Sequence, residues 1–322
     1  MLDKPMLDKP PIRKKNSVKE TVQVSVILAT HNQADNLKRF LEAMTDLPSE
    51  PEWELIIVNC SSTDDTGRLL TEQLQKADFQ LNVITSGLPS LSHARNMALK
   101  YAKGSLIVFA DDNVIPDAFW LQKFYETSQQ YPKAQIFGGR VFLDTAQLPK
   151  WLTQSPGLRK LLTKEHDLGN KYTAYKWNEY PSGACVALRR TALKSERVDK
   201  HELTPWPTLL GPGTRNPIGE DLAFLTLLSE PEAKTRVYVP DATVTKKLDH
   251  TVLIRPFKAA YGYGKVRGQL NAIFKIDAAQ SKATSPLNDS TGLLGWRCRL
   301  HQAVGMKIGK LTFRNRHQLW PL

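Results

Sequence analysis

Two carboxylates and an amide, Asp111, Asp112 and Asn113, follow directly on the apolar run at 106–110. Oxygen donors in a row suit a hard divalent cation, and such a cation suits a phosphate-bearing ligand. The run before them is short, uninterrupted and apolar, as in a strand buried on both faces of a parallel sheet. In open α/β sheets, ligands sit just beyond the C-terminal ends of the strands, where this triplet falls. The competing explanation is a polar strand-to-helix turn in which Asp and Asn serve turn chemistry. The elements around the triplet decide between the two.

Residues 22–29 are apolar and β-branched, a strand followed by Thr30, His31 and Asn32. Over 34–45, Leu37, Phe40, Leu41 and Met44 recur at spacings of three and four, which predicts a helix with one apolar face. A second strand at 55–58 ends at Asn59 and Cys60. Ser61, Ser62 and Thr63 then offer N-caps for a helix running to about residue 76. A third strand at 81–85, a helix at 91–103 and the strand at 106–110 follow, and Pro116 opens the next helix. Strand and helix thus alternate four times in the first ~140 residues, the pattern of a parallel, doubly wound sheet. Each strand is followed by polar residues, and in this architecture those loops share one edge. After 136–142 the alternation breaks down. Residues 185–188 read as another buried strand, 201–217 as a long Pro/Gly-rich loop, 222–228 as an apolar helix and 236–239 as a strand.

The chain has 322 residues, 41% of them hydrophobic and 24% charged, enough for a sizeable core. Its formal net charge of +12 calls for nucleic acid, an anionic membrane surface or an acidic substrate. The cations are dispersed and no nucleic-acid motif is present, so nucleic acid is not an expected partner. Cys60, Cys185 and Cys298 lack metal-ligand or disulfide-framework spacing, which points to a reduced compartment. No run reaches the ~18 apolar residues of a membrane span, and the N-terminus lacks the apolar segment of a secretory signal. Residues 1–20, with a duplicated MLDKP, read as a flexible arm.

Four pieces in this order resemble the family 2 glycosyltransferases of the GT-A fold: the opening strand with Thr30-His31-Asn32, VNCSSTDDT at 58–66, SHARN at 92–96 and FADDN at 109–113. P-x-W-L at 149–152, DLG at 167–169, PSGACVALRR at 181–190, LGP at 210–212 and GED at 219–221 fit the same family in register. The resemblance implies an α/β fold of GT-A type: a Rossmann-like, mostly parallel central sheet flanked by helices, with a C-terminal helical extension. It divides the chain into a nucleotide-sugar-binding half at 21–142, an acceptor-binding and catalytic half at 143–250, and a basic, mainly helical extension at 251–322.

It further implies an inverting transfer from a nucleoside-diphosphate sugar to an acceptor hydroxyl of a glycan or a lipid-linked molecule, in polysaccharide or glycolipid biosynthesis. Thr30, His31 and Asn59 would lie near the base and ribose. Asn59 stands where the family usually has Asp, so its amide brings a donor as well as an acceptor. Arg95 would reach the diphosphate or base, and Asp111 the ribose. Asp112 and Asn113 would hold Mg²⁺ or Mn²⁺, with an uncharged oxygen where the D-x-D pattern has its last carboxylate. Asp221 is the implied general base, with Glu220 orienting the acceptor or the pocket. The alternative for both is a charged first turn for the helix that follows. His250 is the implied further metal ligand by distance, unless Lys246 occupies that position and contacts the phosphates. Trp151, Trp177 and Trp206 are either sugar-stacking or packing residues.

Beyond the resemblance, YGYGKVRG at 261–268 suggests a glycine-interrupted helix with exposed cations. Trp296, Leu300, Val304, Ile308 and Leu311 form one helical stripe with Arg297, Arg299, Lys307 and Lys310 about it. That helix either lies on anionic lipid or packs on the catalytic domain. The expected location is cytoplasmic, with a peripheral place at the inner face of the membrane if the helix binds lipid. The competing functions are a nucleotidyltransferase, against which the acidic GED argues, and a catalytically silent sugar-nucleotide binder.

Overall fold

The computed structural model describes residues 21–144, 148–176, 179–194, 204–214, 218–229, 235–248, 256–273, 287 and 292–312. The first half runs β1 (Val24–Thr30), α1 (Ala34–Thr45), β2 (Trp53–Cys60), α2 (Thr66–Lys76), β3 (Gln80–Ser86), α3 (Leu91–Leu99) and β4 (Leu106–Asp111). Side chains of β1, β2 and β4 alternate between two cores, as a period of two requires. Val24, Val26 and Leu28 pack with Leu55, Ile57 and Val108 beneath Leu37, Phe40 and Met44 of α1. Ile27, Ile56, Val58 and Phe109 pack on the opposite face against Ala94 and Ala98 of α3. Both faces are therefore covered, which is why these strands read as continuous apolar runs. Truncating a fully buried residue such as Phe40 to Ala would cost about 3–5 kcal/mol.

The second half adds β5 (Val114–Pro116), α4 (Trp120–Gln130), β6 (Ile136–Leu143), α5 (Lys150–Thr153), α6 (Pro156–Thr163), β7 (Thr173–Ala174), β8 (Cys185–Arg189), a 3₁₀ turn over Arg190–Lys194, α7 (Glu220–Leu228) and β9 (Arg236–Lys246). Strand order in the sheet is β3-β2-β1-β4-β8-β6-β9-β5, with β7 beside β9. The β3-β2-β1-β4 block and the β6–β9 pair are parallel. Strand β8 runs antiparallel between β4 and β6. Two helices complete the described chain, α8 (Pro256–Ile273) and α9 (Gly292–Thr312).

Three expectations are corrected. Pro116 ends the short strand β5, and the helix starts at Trp120, where Trp120, Leu121 and Phe124 are buried and Phe119 is exposed. The third helix stops at Leu99 rather than running to residue 103, because Gly104 must meet the β1 backbone directly and a side chain there would collide with it. In YGYGKVRG the helix is continuous, and Arg267 is buried, donating to the Tyr263 hydroxyl at 2.9 Å. The readings of residues 1–20 and of Trp177 lie outside the described residues. Among the described residues, no helix is long and apolar enough to cross a membrane.

Candidate active site

Because β1, β2 and β4 are parallel, their C-terminal ends share one edge. A cleft of about 870 Å³ opens there, lined among others by Thr30, His31, Asp111, Asp112, Asn113, Lys164 and Lys246. Thr30 Oγ1 donates to Asp112 Oδ2 at 2.8 Å and ties the first strand's end to the acidic turn. His31 Nδ1 faces the Cys60 carbonyl oxygen at 2.6 Å, so that nitrogen carries the proton. Asn59 does not line the cleft. Its Oδ1 accepts from the Ser62 backbone N–H at 3.1 Å and shapes the turn after β2.

Asp111 sits between two cations. Lys246 Nζ lies 2.6 Å from Oδ2, and an Arg95 terminal nitrogen 3.0 Å from Oδ1. Burial alone would raise the Asp111 carboxyl; Lys246, Lys164 and Arg95 outweigh it and hold the group far below the usual carboxylate range. Arg95 itself is fully buried behind Asp111 and outside the cleft lining. Its guanidinium also donates to the Gly183 carbonyl at 3.3 Å and lies over the Trp206 ring at 4.3 Å. Trp206 stacks on Phe224 with centroids 3.9 Å apart, so this tryptophan is core packing. Trp151 is half-buried and also serves packing, against the cluster joining α6 and α8.

The segment carrying Trp206 is tied down over α3. Asn96 exchanges two hydrogen bonds with the Trp206 backbone, and Ser92 Oγ donates to the Leu210 carbonyl at 2.9 Å. Gly213, at φ +85°, abuts the Pro89 carbonyl so closely that any side chain would collide with it. Pro212 and Gly213 thereby become a wall of the cleft.

Asp112 has no such cationic pair among the described residues. Burial first, and Asp111 as a like charge, push it up to about 7 against the Thr30 hydrogen bond and the attraction of Lys246. Beside it, Asn113 Oδ1 is buried and has no hydrogen-bond partner among the described residues. A buried acceptor left in this state costs about 1–3 kcal/mol unless something else satisfies it.

Glu220 and Asp221 open α7, and Lys164 reaches both, at 3.2 Å and 3.4 Å. Lys164 follows the last turn of α6 at φ 60°, and it lines the same cleft as the Asp111–Asn113 turn. Burial would raise Asp221, but Lys164 and the Leu222 backbone N–H hold it below the ordinary value. Glu220, almost fully buried, is pushed up by burial and by Asp221 against the pull of Lys164. Asp221 packs on Gly183, where a Cβ would stand 2.8 Å from the Asp221 Cβ. Lys164 escaped the sequence reading: it lies in a stretch without periodicity, and nothing local marks it. Of the alternatives for the further position, Lys246 sits on Asp111, and His250 lies outside the described residues.

Comparison with known proteins agrees with this architecture. A family profile described as Glycosyl transferase family 2 matches residues 25–196, more than half of the chain. The chain belongs to glycosyl transferase family 2. Among curated relatives of this family 2 chain, TuaG of Bacillus subtilis, whose name proposes a glycosyltransferase of teichuronic acid biosynthesis, is 36% identical over 94 residues, 28% of this chain and 35% of the relative. Glycosyltransferase AglE of Haloferax volcanii is 27% identical over 106 residues, 32% of this chain and 34% of the relative. The matches thus span about a third of the length of these relatives. The mannosyltransferase PcManGT of Pyrobaculum calidifontis, solved with GDP-Man and Mn²⁺, aligns with a TM-score of 0.57 at 15% identity over 91% of this chain and 76% of its own. That likeness concerns the fold, which is of GT-A type.

Proposed function

We propose that this chain is an inverting glycosyltransferase that moves a sugar from a nucleoside-diphosphate sugar to an acceptor hydroxyl, in polysaccharide or glycolipid synthesis at the cytoplasmic side of a membrane. The observation that carries the proposal is Lys164, which lines the cleft holding Asp111, Asp112 and Asn113 and at the same time pairs with Glu220 and Asp221. Glu220 and Asp221 stand behind the cleft lining, and their pairing with Lys164 supports reading them with the acidic turn as one site. The solved fold relative holds GDP-Man and Mn²⁺, and the name of TuaG speaks of teichuronic acid biosynthesis.

The donor set fits a divalent cation. The Asn113 oxygen is buried without a partner among the described residues, and Asp112 is a carboxyl whose charged form burial disfavours, so a hard cation would satisfy both. Asp112 and Asn113 would hold Mg²⁺ or Mn²⁺, which as a Lewis acid supplies stabilisation of charge on the departing diphosphate. The chain's own residues do the rest. Thr30 orients Asp112, and His31 forms the wall at the end of β1. Arg95 acts as a positioning residue that fixes Asp111 from behind. Asp221, kept ionised by Lys164, takes the proton of the acceptor hydroxyl. The acceptor oxygen bonds to the anomeric carbon from the face opposite the diphosphate. The bond to the diphosphate oxygen breaks, its electron pair leaving with the nucleoside diphosphate, and the configuration inverts.

A donor-hydrolysis and transfer screen with UDP-, GDP- and dTDP-sugars, with and without Mn²⁺, tests the proposal. Cation-stimulated release of one nucleoside diphosphate is expected. No turnover of any of these donors contradicts the assignment.

A further inference from the structure

Helix α9 is built the wrong way round for a helix that merely covers a core. Its buried seam consists of small or polar residues, Gly295, Cys298, Gln302, Gly305 and Gly309. Gly305 and Gly309 meet the α8 backbone at Tyr261 and Lys265, while Gly264 and Gly268 of α8 meet the α9 backbone at Gln302 and Met306. A Cβ at any of these four glycines would collide with a carbonyl oxygen. The two backbones therefore touch through a Gly-x-x-x-Gly pair on each helix, the small-residue packing usual between helices in lipid.

The consequence lies on the other side. Trp296, Leu300, Val304 and Leu311 are 54%, 48%, 46% and 63% exposed and follow one another along the outer face. In a water-facing helix the bulky apolar residues point inward and the polar ones outward. Here Leu294 packs inward, but Trp296, Leu300, Val304 and Leu311 all stand on the outer face, opposite the glycine seam. Arg297 and Lys307 share that exposed face.

We propose that the outer face of α9 lies on the anionic surface of a lipid bilayer. Trp296 suits the headgroup level, and the leucines and valine suit the acyl boundary. Arg297, whose guanidinium lies over the Phe257 ring of α8 at 4.7 Å, and Lys307 are exposed on this side and offer their charge to lipid phosphates. A second copy of the chain fits poorly, because it would set the same cations against each other. The helix lies in the plane of the interface and does not span it. Val266 of α8 packs against Leu222, Ala223 and the Gly219 turn that opens α7, and Ala260 packs with Leu158 and Leu162, just before Lys164. The docked helix pair thus supports Asp221 and Lys164 from below. The acceptor class that follows is a hydroxyl carried on a lipid or lipid-linked glycan, a step that rests on the transfer reaction proposed above.

The test is flotation of the full chain with vesicles of phosphatidylcholine and phosphatidylglycerol, compared with phosphatidylcholine alone. It needs no donor and no turnover, so its outcome is independent of the transfer assignment. Wild type is expected to float with the anionic vesicles and to be released by salt. Trp296→Ser/Leu300→Ser/Val304→Ser is expected to bind roughly tenfold or more weakly, an effect of lost apolar contact. Arg297→Gln/Lys307→Gln, which leaves Trp296, Leu300, Val304 and Leu311 in place, is expected to lose the preference for anionic vesicles and serves if the triple variant does not fold. Wild type that stays unbound overturns the proposal, as does either folded variant floating like wild type. A dimer that the triple variant dissolves, without vesicle binding, also overturns it and assigns the face to a second copy.

Discussion

The Lys164 ammonium stands 3.4 Å from the Asp221 carboxylate, and the same nitrogen is 3.2 Å from Glu220. One cation thus serves two carboxylates that open the same helix. Burial works against charge on all three groups; the pairing outweighs it at Lys164 and Asp221 and not at Glu220. Removing the ammonium leaves Asp221 with burial and with Asp111 as a like charge, so its pKa rises and less of the base is ionised at a given acid pH. Lys164→Met is therefore expected to move the acid limb of the kcat profile upward by roughly one pH unit or more. Lys164→Arg should keep the limb near its original place. A pH–rate series on both variants checks this.

The two carboxylates differ in what they tolerate. Asp221 is held ionised, whereas Glu220 is almost fully buried and pushed toward its neutral form. Asp221→Asn keeps an oxygen for the Leu222 N–H and removes the proton acceptor. It is expected to bind donor normally and to lose about 10²–10⁴-fold in kcat. Glu220→Gln resembles the neutral acid and is expected to lose less than Asp221→Asn. Steady-state kinetics beside donor calorimetry separate the two effects.

Arg95 lies behind the cleft, between Asp111, the Gly183 carbonyl and the Trp206 face. Truncation to Ala would empty a fully buried site and leave Asp111 with less compensation. A loss of about 3–5 kcal/mol is expected for breaking such a buried pair. Arg95→Lys would retain the charge and forfeit the planar stacking on Trp206. Urea unfolding should rank wild type above Arg95→Lys, and Arg95→Lys above Arg95→Ala.

His166 predicts an acid-sensitive stability. Burial, and then Lys160, push its imidazole down to about 4, while its Nε2 meets the Tyr175 hydroxyl at 2.6 Å. The unfolded chain, with a pKa of about 6.5, binds the extra proton first. Its contribution to stability is complete above about pH 6.5, is lost as pH falls to about 4, and does not change further below that. The loss amounts to at most about 3 kcal/mol. Melting curves across this window should fall less steeply for His166→Phe than for wild type.

The first half of the fold was legible because each strand is an unbroken apolar stretch and α1 repeats Leu37, Phe40, Leu41 and Met44 on one face. The acidic turn was legible because it follows β4 directly. Strand β8 was visible as apolar, but its direction was not: it is fixed by β4 and β6 on either side, and residues 185–189 read alike both ways. The pairings that assemble the site bridge long separations. Lys246 meets a residue 135 positions earlier, and Lys164 one 56 positions later. The burial of Arg95 against Asp111 is not legible in its own helix, because the packing that turns it there comes from Trp206, 111 residues away in sequence, in a loop without periodicity.

Calorimetric titration of the full chain with UDP, GDP and dTDP, each with and without Mn²⁺, tests the central claim most directly. One nucleoside diphosphate is expected to bind, more tightly with Mn²⁺, and Asp112→Ala is expected to abolish the cation-dependent part. Binding of none of the three, or an unchanged Mn²⁺ dependence in Asp112→Ala, would contradict the account.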